Sequence, residues 1–288
     1  MKDKIKYYLA EWIYNGYRSG IFRNAVKVRS IEETLDRLLE TRDSLVRFGD
    51  GEIKLIAGKD LSFQKAEPLL VQRLQEILLY EEKGLLVALP DIFEDLSDYR
   101  EKSRRFWVEH LLFHRKEYEK YCPKDRVYEN TSFSRPYIMY MDREKCAVLF
   151  EKIRKLWEDK DVVVIEGASS HNGVEVDLLD NVRSLERIIC PAVQAWGKYE
   201  QILQECLKLP KDKLILISLG PSAKVLGQDL FREGYRVLDI GNLDMEYSWF
   251  CMGAEDKTKL KKHSVLTRED NEKAGYREYL SQIRANID

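Results

Sequence analysis

The chain has 288 residues, of which 44% are hydrophobic and 34% charged, so it is long enough to bury a core without disulfides or structural metals. Its 48 lysine and arginine residues against 50 aspartate and glutamate residues give a formal net charge of −2, which argues against a nucleic-acid partner bound through bulk charge. No apolar run approaches the roughly 20 residues of a membrane span.

The cysteines indicate a reducing compartment. There are five, an odd number, and none forms a CxxC pair, which is typical of reduced thiols rather than a disulfide framework or a zinc site. The N-terminus carries charges inside its apolar run and lacks the features of a signal peptide. We therefore expect a cytoplasmic protein. The five are Cys122, Cys146, Cys190, Cys206 and Cys251.

Helix and strand signals alternate along the chain. Helical spacing of apolar residues occurs, in chain order, at 31–41, 66–82, 97–121, 143–159, 198–209, 223–233 and 268–287. Short apolar runs typical of buried strands occur at 44–48, 85–89, 162–165, 185–190, 214–218 and 235–240. This alternation predicts an α/β, Rossmann-like fold with a mainly parallel sheet, helices on both faces, and extra N- and C-terminal helices.

Residues 1–29 are predicted to form a basic helical extension, and residues 30–288 a single α/β domain ending in a helix. Seven lysine and arginine residues stand against Asp3 and Glu11 in the extension. One interpretation is an amphipathic helix that lies on the inner face of a membrane. The other is an ordinary surface helix packed by its aromatic face, or a contact between copies in a homo-oligomer. The interleaved apolar residues are Tyr7, Tyr8, Leu9, Trp12 and Ile13.

Ligands of parallel sheets bind beyond the carboxyl ends of the strands. Asp50 and Glu52 follow the first strand on a sharp turn, and two carboxylates are suited to a hard divalent cation that also binds phosphates. Arg47, just before them, could pair with a phosphate. The alternative is a turn followed by acidic residues in the first turn of a helix.

A second candidate is Gly220-Pro221-Ser222, between a strand and a helix. Backbone N–H groups at a helix N-terminus with a nearby hydroxyl resemble a phosphate cradle, although the lysine and the glycine spacing of a P-loop are missing. The alternative is that Ser222 simply caps the helix.

Asp244 and Glu246 follow the strand at 235–240, and either could act as the general base that deprotonates an acceptor hydroxyl. The alternative is a surface acid beside core aromatic residues. His110 and His114 lie four residues apart on a helical segment but have no third ligand nearby, so we expect them to be structural.

Taken together and in order, these segments resemble the bacterial GT-D glycosyltransferases, a family associated with glycosylation of serine-rich adhesins and with surface polysaccharides. The resemblance extends over about residues 30–252. The segments that carry it are 47–52, 134–137, 166–167, 177–179, 188–191, 219–222 and 239–247.

The resemblance implies a UDP-sugar donor, with glucose or a similar hexose, and Mn²⁺ or Mg²⁺ held by Asp50 and Glu52. It implies that Glu246 and Asp244 face the acceptor, which would be a glycan, a glycoprotein or a lipid-linked sugar. It also implies a set of residues around the nucleotide: Arg47, Gly49, Arg135, Glu166, Gly167, Ser170, Gly220, Pro221 and Ser222.

The sequence departs from the family pattern at Glu175, where relatives carry glycine, and at Asn242, where relatives carry histidine. Glu175 would add bulk and charge near the nucleotide, and Asn242 removes a titrating donor. These departures keep open a second function, that of a non-catalytic partner that binds nucleotide or sugar in a glycosylation complex. A further alternative is a metal-dependent nucleotide-sugar hydrolase, which would use the same carboxylates with water as acceptor.

Overall fold

The computed structural model describes residues 2–21, 26–264 and 274–288. The strands are β1 Lys27–Val28, β2 Ser44–Arg47, β3 Leu85–Leu89, β4 Val127–Asn130, β5 Asp161–Gly167, β6 Ser184–Cys190, β7 Leu214–Ser218, β8 Arg236–Asp239 and β9 Ile283–Asn286. The helices are α1 Lys2–Arg18, α2 Ile31–Glu40, α3 Asp50–Ile56, α4 Pro68–Leu79, α5 Glu101–Tyr121, α6 Glu144–Lys155, α7 Tyr199–Cys206, α8 Ser222–Arg232, α9 Leu243–Cys251 and α10 Ala274–Ser281.

The described strands form a single nine-stranded sheet in the order β1-β4-β3-β2-β8-β7-β5-β6-β9, and each pairing is parallel. Every residue of β2 and β3 is buried, as expected for strands covered on both faces. The predicted fold class is confirmed. The apolar runs form the strands because a parallel strand must bury both of its faces.

Helix α8 packs directly on β2 and β8, and α4 and α7 pack against α8. A Cβ atom at Gly227 would lie 2.7 Å from Cγ1 of Val46, so this helix approaches the sheet as closely as only glycine permits. Helices α2 and α6 form a separate packed pair. The five cysteines are free thiols, and all but Cys251 are buried.

The C-terminus differs from the prediction of one helix over 268–287. Residues 268–273 lie outside the described part of the chain, α10 ends at Ser281, and Ile283–Asn286 form β9, which pairs with β6. Burial alternates along β9, a period of two that a short segment does not reveal against a helical background. Strands β1 and β4 were likewise not predicted, because β1 has only two residues and half of β4 is polar.

Helix α1 lies against α5. Ala10 and Tyr14 are buried there, Lys6 pairs with Glu109 at 2.7 Å, and Arg104 binds Glu11. This packing agrees with the interpretation of a surface helix, yet the opposite side of α1 exposes an apolar stripe. In the described ranges no helix combines the length and the apolarity needed to cross a bilayer. The stripe consists of Ile5, Tyr8, Leu9 and Trp12.

The two histidines of α5 are buried. Nε2 of His110 lies 3.1 Å from the Tyr118 hydroxyl. Burial, followed by the neighbouring charges of His114, Lys54 and Lys59, lowers the pKa of His110 to about 3. His110 is therefore neutral in the folded protein at pH values where it is protonated in the unfolded chain.

This difference predicts acid sensitivity. Since the folded pKa lies below the unfolded value of about 6.5, the unfolded chain binds more protons and stability falls as pH drops. Between pH 6 and pH 4.5 the loss attributable to His110 should be about 2 kcal/mol. Urea unfolding of the wild type and of His110→Gln at both pH values measures it. Equal losses in the two proteins would contradict the assignment.

Candidate functional site

A cleft of about 490 Å³ lies at the carboxyl edge of the sheet, beyond the ends of β2, β8, β7 and β5, which are neighbours in the sheet. Each of these strands ends in or leads into a glycine that lines the cleft: Gly49, Gly241, Gly220 and Gly167. Because parallel strands end at the same edge, turns far apart in sequence meet at one site. This is the place where the sequence predicted the chemistry.

Arg47 needs the glycine at position 241. Gly241 has a φ of +47°, and a Cβ there would lie 2.5 Å from Nη1 of Arg47. Nη1 donates to the carbonyl oxygen of Ile240 at 3.2 Å and to Oγ of Ser134. Burial lowers the pKa of Arg47, while the charges of Asp239 and Glu52 oppose that shift. The guanidinium is thus a fixed positive group at the cleft wall.

A buried ion cluster joins three elements beneath the cleft. Nζ of Lys224 on α8 lies 3.1 Å from Oε1 of Glu52 on α3 and 3.0 Å from Oδ2 of Asp239 on β8, and it donates to the Gly220 carbonyl at 3.1 Å. Asp239 also accepts from the Arg47 backbone N–H at 3.1 Å. The three side chains are at most 10% exposed. Lys224 therefore neutralises one of the two predicted metal ligands.

Asp50 and Glu52 differ in availability. Glu52 sits in the third position of α3, where its Oε2 accepts from the Gly49 N–H at 2.7 Å, so the alternative of an acidic helix start also holds for it. Both carboxylates line the cleft. The side chain of Asp50 is 35% exposed, and its partner Lys54, at 2.6 Å, is similarly exposed. Such a surface pair is weak.

The donor atoms fit a divalent cation that shares its ligands with a substrate. Asp50 offers a hard carboxylate oxygen, and Mg²⁺ commonly takes one or two carboxylates and completes its shell with phosphates and water. Residues 2–21, 26–264 and 274–288 contain no group of three or more His, Cys, Asp or Glu side chains suited to a metal. The donor set is therefore not a preformed cage.

The loop after β7 is divided between the cleft and the core. Gly220, with a φ of +52°, and Pro221 line the cleft. Ser222 begins α8, is 1% exposed, and is not among the lining residues. Its Oγ has no hydrogen-bond partner in the described part of the chain. Of the segment predicted as a phosphate cradle, the turn therefore lines the cleft, and the Ser222 hydroxyl is buried.

The end of β5 and the segment after it are similarly divided. Gly167 and Ser170 line the cleft, whereas Glu166 is fully buried. Its Oε1 pairs with Arg187 at 2.7 Å, and its Oε2 accepts from the N–H and side-chain amide of Asn172 at 2.7 and 2.6 Å. Glu166 thus fixes the loop that presents Ser170.

Neither proposed base lines the cleft. Both are 0% exposed. Oε1 of Glu246 binds Arg135 at 3.2 Å, and Oε2 accepts from the N–H groups of Tyr137 and Ile138 at 3.3 and 3.0 Å. Glu246 thereby holds Arg135, which does line the cleft. These contacts favour a positioning role, and the role of general base stays a prediction.

Asp244 is held by a lysine and a histidine. Its Oδ2 lies 2.7 Å from Nζ of Lys262 and 2.8 Å from Nε2 of His263, and its Oδ1 accepts from the Gly173 N–H at 2.7 Å. Burial raises the pKa of Asp244, but the hydrogen bond from His263 and the charge of Lys262 outweigh it and leave the pKa lowered. A lowered pKa makes the carboxylate a weak base.

The two departures from the family pattern lie in different places. Glu175, with a φ of +62°, is exposed and lines a separate cavity with Arg187 and Tyr279. It adds no bulk to the cleft of β2, β8, β7 and β5, contrary to expectation. Asn242 does line that cleft, so it remains the departure with a direct effect on the site.

Several lining residues were not among the sequence candidates. Phe63 is 43% exposed on a loop between α3 and α4. Gln194, with a φ of +55°, donates its backbone N–H to the Phe63 carbonyl at 2.8 Å and so braces the loop. The sequence did contain a signal for Lys224, which is a lysine in the first turn of the helix after Gly220. It contains no signal for Phe63 and Gln194, because only the fold brings these two residues together.

Curated relatives match most of this chain. It is 43% identical over 266 residues to the Streptococcus gordonii protein named "Probable glycosyl transferase Gly", covering 91% of this chain and 39% of that protein. It is 40% identical to "Glycosyltransferase GlyD" of Streptococcus pneumoniae serotype 4, covering 91% of this chain and 33% of that protein. The chain thus spans between one third and two fifths of the length of these relatives.

The fold is also that of a solved structure described as a new glycosyltransferase, of domain of unknown function 1792, from Streptococcus sanguinis. The two share 42% identity and a TM-score of 0.84, with 91% of this chain and all of that chain covered. The family model of the GT-D glycosyltransferase fold matches residues 45–267, which include the whole cleft. The chain belongs to the family of the GT-D glycosyltransferase fold.

Proposed function

We propose that this chain is a glycosyltransferase that moves a hexose, such as glucose, from a UDP-sugar to a glycan or glycoconjugate acceptor. The observation that carries the proposal is the cleft at four adjacent strand ends, where Asp50 faces the cations Arg47, Arg135 and Lys224. A nucleoside diphosphate needs this combination of glycine turns and positive charge.

The diphosphate would lie over the turn at Gly220 and Pro221. Arg47 and Arg135 would offset its charge. Ser134 already fixes Arg47, and Glu246 already fixes Arg135. Such preorganised charges stabilise a leaving diphosphate without reorganisation during the reaction. A divalent cation, Mn²⁺ or Mg²⁺, would be held by Asp50 with support from Glu52, and would supply Lewis-acid assistance to the leaving group.

Phe63 supports a nucleotide in this orientation. Its ring would be 3.3 Å from a Cβ placed on Gly220, so it borders the turn assigned to the diphosphate. An exposed aromatic face can stack on a base or a sugar. Ser170, Gly167 and Gly49 complete the wall.

The alternatives are separable by their products. A hydrolase would release UDP and free sugar at full rate without acceptor, and a non-catalytic partner would bind nucleotide without turnover. Asn242 in the cleft is the feature that bears on the second alternative. The same proposal includes a cytoplasmic location, assembly as a homo-oligomer, and an acceptor that is lipid-linked or a glycoprotein. It does not include a nucleic acid as a binding partner.

The donor class is tested by thermal and denaturant unfolding with UDP, GDP, CDP, dTDP and ADP, each with and without Mn²⁺. UDP with Mn²⁺ at 100 times its dissociation constant should raise the free energy of unfolding by about 2.7 kcal/mol. Asp50→Asn should lose the Mn²⁺-dependent part, because the metal loses its most available carboxylate.

Glu175→Gln is the matched control, since it removes an exposed carboxylate outside the cleft and should keep the full response. A larger response to another nucleotide would change the nucleobase that we assign to the sugar donor. No response to any of the five would contradict the proposed function.

Lys224 is expected to dominate the stability of the site. Lys224→Met leaves Glu52 and Asp239 buried without their cation, which should destabilise the fold by about 3–5 kcal/mol. Lys54→Met, which breaks only the partly exposed pair with Asp50, should cost less than about 1 kcal/mol. Urea unfolding compares the two. Equal costs would show that the buried cluster contributes no more than a surface pair.

The exposed stripe of α1 supports a peripheral membrane contact. Leu9 and Trp12 are 50% and 66% exposed, and replacing both with serine should reduce co-sedimentation with phosphatidylglycerol vesicles several-fold, since less apolar surface enters the interface. Tyr80→Ser, at a site 66% exposed elsewhere, should pellet like the wild type. Equal pelleting of all three proteins would contradict the proposed membrane contact.

A further inference from the structure

A second cavity, of about 700 Å³, adjoins the donor cleft. Asp50 and Arg135 line both cavities, so the two spaces meet at these side chains. The first turns of α5, the segment at 138–139 and the segment at 256–257 form the other walls. The sequence singled out none of these residues apart from Asp50 and Arg135, and the proposed donor site uses none of the others.

The walls are held in place from several directions. Lys102 pairs with Asp256 at 2.6 Å, and the Arg100 N–H donates to the Met139 carbonyl at 2.9 Å. The Arg100 guanidinium also donates to the carbonyl oxygen of Glu255. The start of α5 is thus tied to both of the other walls, and the cavity is a built feature of the fold.

The lining combines an aromatic surface with balanced charge. Phe106 is 45% exposed and packs edge-on against Trp107 with ring centroids 5.0 Å apart. Trp107 is only 5% exposed, yet its indole N–H has no hydrogen-bond partner among the described residues. Buried polar groups are normally satisfied, so this N–H is a donor that a ligand hydroxyl could satisfy. The charged lining residues are Arg100, Lys102, Arg135, Lys257, Asp50, Glu101 and Asp256.

We infer that this second cavity is the acceptor site and that it binds the sugar end of an uncharged glycan. The inference rests on the proposed function, because it assigns the donor to the adjoining cleft. An apolar ring face stacks on Phe106, sugar hydroxyls take the indole N–H of Trp107 and the charged rim, and the reacting hydroxyl reaches the donor at the boundary between Asp50 and Arg135.

The chemistry of the lining selects this class of ligand. Four basic and three acidic residues give no excess that would favour a polyanion. The charged groups that line the cavity together with Phe106 suit a ligand rich in hydroxyls, since an acyl chain would leave those groups without hydrogen-bond partners. Contiguity with the donor cleft places such a ligand where transfer requires it.

The test is saturation-transfer NMR of the full chain with UDP and Mn²⁺, using maltose, cellobiose, lactose and N,N′-diacetylchitobiose as probes. At least one disaccharide should bind the wild type. Phe106→Ala should weaken that binding about fivefold, the effect of losing one aromatic contact. Trp107→Phe, which keeps an aromatic ring of smaller size but removes the N–H, should weaken it about threefold.

Phe113→Ala is the matched control, because Phe113 lies on the same helix, is 54% exposed, and is not part of the cavity. Its disaccharide affinity should equal that of the wild type. In all three variants UDP affinity should stay within about twofold, whereas general damage to the fold would lower both affinities.

Several outcomes would overturn the inference. Binding of no disaccharide to the wild type would do so, as would equal losses in Phe106→Ala and Phe113→Ala. Phe106-dependent binding of a peptide or of lipid vesicles in place of disaccharides would assign the cavity to another ligand. Phe106-dependent disaccharide binding without any UDP binding would preserve this site and instead contradict the proposed function.

Discussion

The ammonium group of Lys224 is the interaction on which the rest of the site depends. It joins Glu52 on α3 to Asp239 on β8 from its own position on α8. Removing one partner from a buried ion cluster leaves a charge without compensation, so the three elements have one favourable arrangement. Asp239 extends the cluster to the Arg47 and Gly241 N–H groups. The positions of the turns after β2, β7 and β8 therefore follow from one network of charges.

The same constraint explains the other buried acids. Glu166, Asp244 and Glu246 are each 0% exposed, and each pairs with a cation and accepts backbone N–H groups. A carboxylate removed from water requires such complete partnering. These residues consequently frame the loops around the cleft. Asp50, which is partly exposed and pairs with a surface lysine, is the more accessible of the two carboxylates that line the cleft.

Arg135 connects the two cavities. Glu246 holds its guanidinium from behind and at the same time fixes the Tyr137 and Ile138 N–H groups, so one buried acid sets both the boundary side chain and a wall of the second cavity. A donor and an acceptor bound on either side of Arg135 would meet beside Asp50. Rigid placement of both reactants at one boundary is what an intermolecular transfer requires.

The sequence by itself determined the fold class and the edge of the sheet where the cleft lies, because apolar runs and glycine turns are local properties. Gly49, Gly167 and Gly220, which were predicted at that edge, line the cleft for this reason. The sequence did not separate the exposed Asp50 from the buried Glu246, since exposure depends on partners distant in the chain. Nor did it reveal β9 or the Phe106 cavity. Only the tertiary structure decided those features, because burial, ion pairing and cavity walls arise when segments far apart in sequence meet.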